Sequence, residues 1–309
     1  MSRTNFDALL DAGVHFGHLR RKWNPAMAPY IFMERNGIHI IDLYKTMAKI
    51  DESAAALKQI AKAGKKILFV ATKKQAKEIV AEHIKRINMP YVTERWPGGM
   101  LTNFATIRKA VRKMNSIDKL MASPSYSNLS KKERLTITRE RAKLEKNLGS
   151  ISDLNRLPSA IFIVDILKEH IALAEAKKLN IPTFAIVDTN SDPRTVDFPI
   201  PANDDASKSI SLIVDTMVRA IEEGLVERKL ERDKKEDSER GEGDEFEARM
   251  GSDMVDFDDD EVDEDGVKIV KKDFIDSKLV KMKGLETTPE EQDKPARKRI
   301  SKPVGRSKK

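Results

Sequence analysis

Three short stretches, KKILFVAT (65–72), SAIFIVD (159–165) and PTFAIVDT (182–189), are apolar at nearly every position, and nothing else so limits the folds open to this chain. A strand with one wet face alternates apolar and polar residues. A continuous apolar run must be covered on both faces, as in the parallel sheet of an α/β protein. PYVTER (90–95) reads as a fourth such strand, GIHIIDL (37–43) as a weaker one ahead of them, and DFPI (197–200) as a short edge. Between them lie helix-like stretches at 46–63, 73–87 and 169–179. Strand and helix in alternation predict a three-layer α/β sandwich around a parallel sheet. Thr72 and Gln75 have the spacing of a capping box at the start of one crossover helix.

The alternation is interrupted between the strand at 90–95 and SAIFIVD, where Phe104, Ile107, Val111, Met114, Ile117 and Met121 recur at helical spacing. After a SPSYSN turn, Ile137, Leu144, Leu148 and Ile151 do so again, and Ser130 with Glu133 forms a second capping box. Two amphipathic helices joined by a short turn predict a protruding α-helical coiled-coil hairpin inserted in the sandwich. Its outer faces carry Arg108, Lys109, Arg112, Lys113, Lys131, Lys132, Arg134, Arg139, Arg141 and Lys143. Such a set is either a solvated face or an arm reaching toward phosphates.

A last helix is expected over 207–230, after which the chemistry changes. Residues 231–265 hold 18 acidic against 5 basic side chains, and residues 266–309 hold 14 basic against 6 acidic. Taking −13 and +8 from the net charge of +7 leaves +12 on residues 1–230. A body of that charge suits a polyanionic partner. The acidic-then-basic extension has too little apolar surface to offset ordering entropy, so residues 231–309 are expected to be disordered. With no cysteine, disulfides and thiolate metal sites are excluded and a reducing, cytoplasmic compartment fits. The N-terminal MSRTNFDALL lacks a signal-peptide pattern and no apolar run approaches the roughly 20 residues of a membrane span, so no membrane partner is expected.

Parallel sheets bind ligands at the carboxyl ends of their strands, and those ends offer no GxGxxG or GxxxxGK[ST] loop. Lys73 and Lys74, at a helix start, can hold a small anion or an RNA phosphate. His15 and His18, in HFGH, can share a metal or can stack on and hydrogen-bond to nucleic acid beside LRRKWNP (19–25). Asp188, Asp192, Asp204 and Asp205 follow strand ends; they either bind a hard divalent ion, with an amide such as Asn24, or cap helices and fix Asx turns. In ERWPGGMLTNF (94–104), Pro97-Gly98-Gly99 turns the chain from sheet to hairpin, with Arg95 and Trp96 before the turn and Asn103 placed to cap the first hairpin helix.

Several long stretches, in order, resemble the signatures of the bacterial small-subunit ribosomal protein S2 family: 12–46, RWPGGMLTNF (95–104), 158–193 and FPIPANDDASKSI (198–210). The resemblance spans about residues 1–230. It implies a Rossmann-like (flavodoxin-like) sandwich made of residues 1–103 and 153–230, with the hairpin at 104–152, lodged between the head and body of the small subunit. It further implies binding of 16S rRNA, contact with neighbouring small-subunit proteins and a part in holding the OB-repeat protein that engages messenger RNA; strand ends without a phosphate loop or an acid-base constellation predict no cofactor and no catalysis. Carried over by position, it makes His15, His18, Arg20, Arg21, Lys22, Trp23 and Asn24, and likewise Arg95, Trp96 and Asn103, RNA-facing or loop-organising residues. Arg108 and Arg112 join them from the hairpin. A nucleotide-dependent transferase and a protein adaptor working through the hairpin are the competing readings.

Overall fold

The computed structural model describes residues 3–252. In chain order the elements are α1 (Phe6–Asp11), β1 (Phe16–Leu19), β2 (Ile31–Arg35), β3 (Ile38–Ile41), α2 (Leu43–Lys62), β4 (Ile67–Val70), α3 (Lys74–Arg86), β5 (Tyr91–Val92), α4 (Phe104–Met121), α5 (Lys131–Leu148), β6 (Ala160–Val164), α6 (His170–Lys178), β7 (Thr183–Val187), β8 (Phe198–Pro201) and α7 (Ser207–Ser252). Short 3-10 turns join several of them, among them Arg20–Lys22 and Pro25–Tyr30.

The five strands β5-β4-β6-β7-β8 form one parallel sheet in that order, flanked by helices as in Rossmann-like folds. Alternate residues of each strand enter different cores, which is why the runs are apolar throughout. Phe69, Phe162 and Phe184 join α2, α3 and α7 on one face; Leu68, Ile161, Ile163 and Val187 join α6 on the other. The second face also takes in Val111 and Leu148, from the base of the two hairpin helices, and Ile151 just beyond them. Full burial of a Phe or Ile side chain contributes about 1.5–3 kcal/mol, so both faces matter to stability.

Several local expectations are corrected. GIHIIDL does not join the parallel sheet: β3 pairs with β1 and β2 in a separate antiparallel sheet of order β1-β3-β2. Asn36 and Gly37, with φ of 52° and 74°, make the two-residue turn between β2 and β3, the conformation that Asn-Gly adopts most readily. PYVTER shrinks to Tyr91–Val92. Thr72 is not a cap for α3, whose N-cap is Lys73; the Thr72 N–H and hydroxyl both donate to the buried Glu169 carboxylate. The capping box at Ser130 and Glu133 is present at the start of α5. Asn103 occupies the N-cap position of α4, but its side chain accepts from the Thr106 hydroxyl at 2.8 Å instead of from a backbone N–H.

α4 and α5 run against one another through Val111, Met114 and Ile117, with ion pairs Lys113–Glu140 and Arg141–Asp118 across them. The last helix does not stop at Leu230 but continues to Ser252. Residues 253–309, on which most of the expected extension falls, lie outside the described residues.

Candidate nucleic-acid interface and carboxylate cluster

The chain leaves β4 toward β5 on one side and enters β7 from β6 on the other, so the crevice at the carboxyl ends of β4 and β6 is the topological switch point, where ligands of open α/β sheets bind. Here that crevice is filled by the chain's own charges. Lys73 follows β4, Asp165 follows β6, Asp188 follows β7 and Asp204 follows β8, while His18 reaches in from β1. Lys73 Nζ lies 2.6 Å from Asp205, 2.8 Å from Asp204 and 3.5 Å from Asp165. His18 Nδ1 lies 3.0 Å from Asp188 Oδ2 and its Nε2 3.5 Å from Asp205. Asp188 and Asp204 are buried, at 1% and 0% exposure.

The electrostatics follow from burial against pairing. Burial, then the neighbouring charges of Asp188 and Asp165, pushes the Asp204 carboxyl up to about 7 although Lys73 opposes the shift. Burial works against the Lys73 ammonium, yet Asp204 and Asp205 outweigh it and hold that group above the ordinary lysine range. The Asp188 carboxylate raises His18 above its usual value. One oxygen each of Asp188 and Asp204 is buried with no aligned hydrogen-bond donor. Ligand atoms of His18, Asp188 and Asp204 lie within 4.8 Å of one another.

Against the expected cation site, Asn24 gives its side-chain oxygen to the Ala26 N–H, capping the 3-10 turn at Pro25, and Asp192 caps the Pro193 turn through Arg194 N–H. Those two are the Asx turns that Asn and Asp make anyway. Asp205 sits on the rim, half-exposed and paired with Lys73. His18 enters the cluster, a ligand-type residue that spacing alone did not join to these aspartates. His15 packs instead against Phe16, the rings tilted by 39° with centroids 4.0 Å apart, and it is not among the ligand atoms that converge with His18.

The expected RNA-facing residues separate into two groups. Arg20, Arg21, Lys22 and Trp23 are exposed together on a 3-10 turn, with Trp23 lying 5.1 Å from the His39 ring. Lys74, Asn103 and Arg112 are exposed, and Arg95 is exposed with no ion pair or hydrogen bond among the described residues. Arg108 is partly covered and donates to the Asn155 carbonyl at 3.1 Å. Lys73 is corrected: with its ammonium enclosed by three carboxylates, it is not free for a phosphate. Trp96 is corrected too, since it is 7% exposed and donates its indole N–H to Glu175, which leaves it the loop-organising role and not base stacking.

The model of the family described as Ribosomal protein S2 matches residues 9–224. The chain belongs to the ribosomal protein S2 family. A small ribosomal subunit protein uS2 from Phocaeicola vulgatus is 73% identical over 232 residues, covering 75% of this chain and 83% of that one. Its counterparts from Bacteroides fragilis and Flavobacterium johnsoniae are 71% and 68% identical, covering 75% and 73% of this chain and 84% and 89% of theirs. The family resemblance drawn from the sequence signatures is thereby borne out. Ribosomal protein S2 is a structural, non-enzymatic component of the small subunit that serves translation. Among the described residues, no helix is long and apolar enough to cross a membrane.

Two features of this S2 chain were not read from its sequence. Glu175, in the middle of α6, is the acceptor around which the Trp96–Thr102 turn folds. An exposed apolar groove is lined by Leu10, Phe16, Phe32, Met33 and Tyr44, with Phe32 70% and Tyr44 72% exposed. The Asn36-Gly37 hairpin signal would have located β2, and with it Phe32 and Met33.

Proposed function

We propose that this chain binds 16S rRNA between the head and body of the small subunit, acting as a positively charged α/β body with a coiled-coil arm. The observation that carries this reading is the division of its cations. Those at the sheet's ligand end are neutralised internally, whereas Arg21, Lys22, Lys74, Arg95 and Arg112 face outward, and exposed Arg20 keeps only a loose 3.6 Å ion pair with Glu34. A guanidinium binds phosphate in bidentate fashion, and Trp23 beside such groups offers a stacking face to an unpaired base. The groove around Phe32 and Tyr44 is the surface that receives the OB-repeat, messenger-binding protein, because exposed aromatic patches of this kind mark protein contacts. The place of action is the ribosome in the cytoplasm. Filter binding of a 16S rRNA domain across a salt series tests the reading: log affinity should fall steeply with log salt, and the slope should ease by about 1 for each outward cation replaced by Gln. A salt-independent affinity would refute it.

A divalent cation at His18, Asp188 and Asp204 belongs to the same proposal. One imidazole nitrogen and two carboxylates are a donor set suited to a transition ion such as zinc, and the buried Asp204 oxygen without a hydrogen-bond donor points to such a need. Its task would be to tie β1 to the ends of β7 and β8. The check is a zinc titration of EDTA-treated protein followed by thermal unfolding. Stabilisation is expected in the parent chain and not in Asp204→Asn; no stabilisation of either would end this part of the proposal.

A further inference from the structure

Glu175 is a carboxylate without a cation. It lies on α6 with 8% of its surface exposed, and among the described residues no lysine or arginine pairs with it. The Trp-Pro-Gly-Gly turn supplies its partners instead. Oε1 accepts the Trp96 indole N–H at 3.1 Å and the Gly99 N–H at 2.8 Å; Oε2 accepts the Leu101 and Thr102 N–H groups at 2.9 and 3.2 Å and the Thr102 hydroxyl at 3.3 Å. Gly99 has φ of +83°, a conformation costly for any side-chain-bearing residue, which lets its amide turn inward. Phe104, the first residue of α4, follows two positions after this ring of donors.

The return end of the hairpin buries Leu148 and Ile151 in the core, but its polar ties are fewer. Ser150 donates its hydroxyl to the Tyr91 carbonyl, and Glu94 bridges Lys77 at 3.2 Å and Lys146 at 3.4 Å across a partly exposed surface. Exposed pairs contribute little, whereas charged hydrogen bonds in a buried setting are the strong ones.

We propose that Glu175 is the positioning residue of the arm: its carboxylate gathers the turn amides and thereby fixes the direction in which α4 and α5 leave the sandwich. Its significance for RNA rests on the reading that the arm carries RNA-facing cations. The donors hold the Glu175 carboxyl below the usual glutamate range even though burial pushes the other way, in keeping with a group kept ionised as an acceptor. A neutral amide at this position cannot replace it, because its NH2 would face donors.

The absence of cysteine makes the test direct. Spin labels on Asn128→Cys at the turn between the hairpin helices and Lys208→Cys at the start of α7 report the arm's direction in the full chain. A narrow distance distribution is expected in the parent and in Trp96→Phe, which removes one donor of five; Glu175→Ala and Glu175→Gln should broaden it. Affinity for a 16S rRNA domain should then fall roughly tenfold, since the preorganised geometry is lost. If Glu175→Ala does not fold, Glu175→Gln decides the matter. An unchanged, narrow distribution in the folded Gln variant overturns the proposal. A broadened distribution with unaltered rRNA affinity upholds the pin and overturns the RNA-binding reading of the arm.

Discussion

Replacing Lys73 by Met removes the one ammonium that, among the described residues, contacts Asp165, Asp204 and Asp205. Its side chain is 12% exposed and that of Asp204 is 1% exposed, so water cannot take its place. Leaving a buried charge without its partner costs about 3–5 kcal/mol. With a urea dependence near 3 kcal/mol per molar, the unfolding midpoint should drop by about 1–1.7 M at pH 8. EDTA in the buffer keeps any divalent ion from substituting for the ammonium. The pH dependence has a definite sign. The Asp204 carboxyl titrates at about 7 in the folded chain, against about 3.9 unfolded. The folded state therefore binds the extra proton, and the group weakens the fold as pH rises through that window. Without Lys73 the ionised form is opposed still more, so the deficit should be largest above pH 7. At pH 5.5, where Asp204 is protonated in both proteins, it should shrink to about 1 kcal/mol, the scale of the pairing with half-exposed Asp205. A loss below about 1 kcal/mol at pH 8, or an equal loss at both pH values, would refute the reasoning.

Thr72→Val should destabilise the chain by about 1–3 kcal/mol by taking a donor from buried Glu169, while Gln75→Ala should be close to neutral; the reverse order in urea melts would restore the capping box. Gly224→Val should cost more than about 2 kcal/mol, because a Cβ there would sit 2.5 Å from the Lys58 carbonyl where α7 crosses α2, and a calorimetric Tm close to the parent's would contradict that. Ser130→Ala should speed amide exchange in the first turn of α5 alone, with a loss of about 1 kcal/mol; slowed or uniform exchange across the hairpin would count against the cap.

The sheet was legible because burial on both faces leaves the same mark on every residue of a strand: Ile161 and Phe162 face opposite cores and are equally apolar. The antiparallel β1–β3 sheet was not, since β3 shows the alternating burial of an ordinary half-wet strand and β2 is mostly exposed. Thr72 and Gln75 satisfied a local rule that lost to a partner 97 residues away. At the cluster, the aspartates after β7 and β8 could be read because strand ends are visible in sequence. His18 could not be joined to them, for it arrives from another sheet. Glu175 gave no signal, being one acidic residue in an amphipathic helix whose five donors lie 73–79 positions earlier. Trp96 misled for the opposite reason, since an indole beside an arginine looks like a stacking surface until its N–H is seen to be engaged.

The central claim is that the outward cations seat this chain on small-subunit rRNA. The most direct measurement is incorporation into small subunits lacking it, followed by sedimentation across a salt series, with the parent compared with the Gln variant of Arg20, Arg21, Lys22 and Arg95. The account predicts that both fold alike, that the parent stays bound into higher salt, and that the variant is shed earlier with a shallower salt dependence. Equal retention of the two proteins at every salt concentration would contradict it.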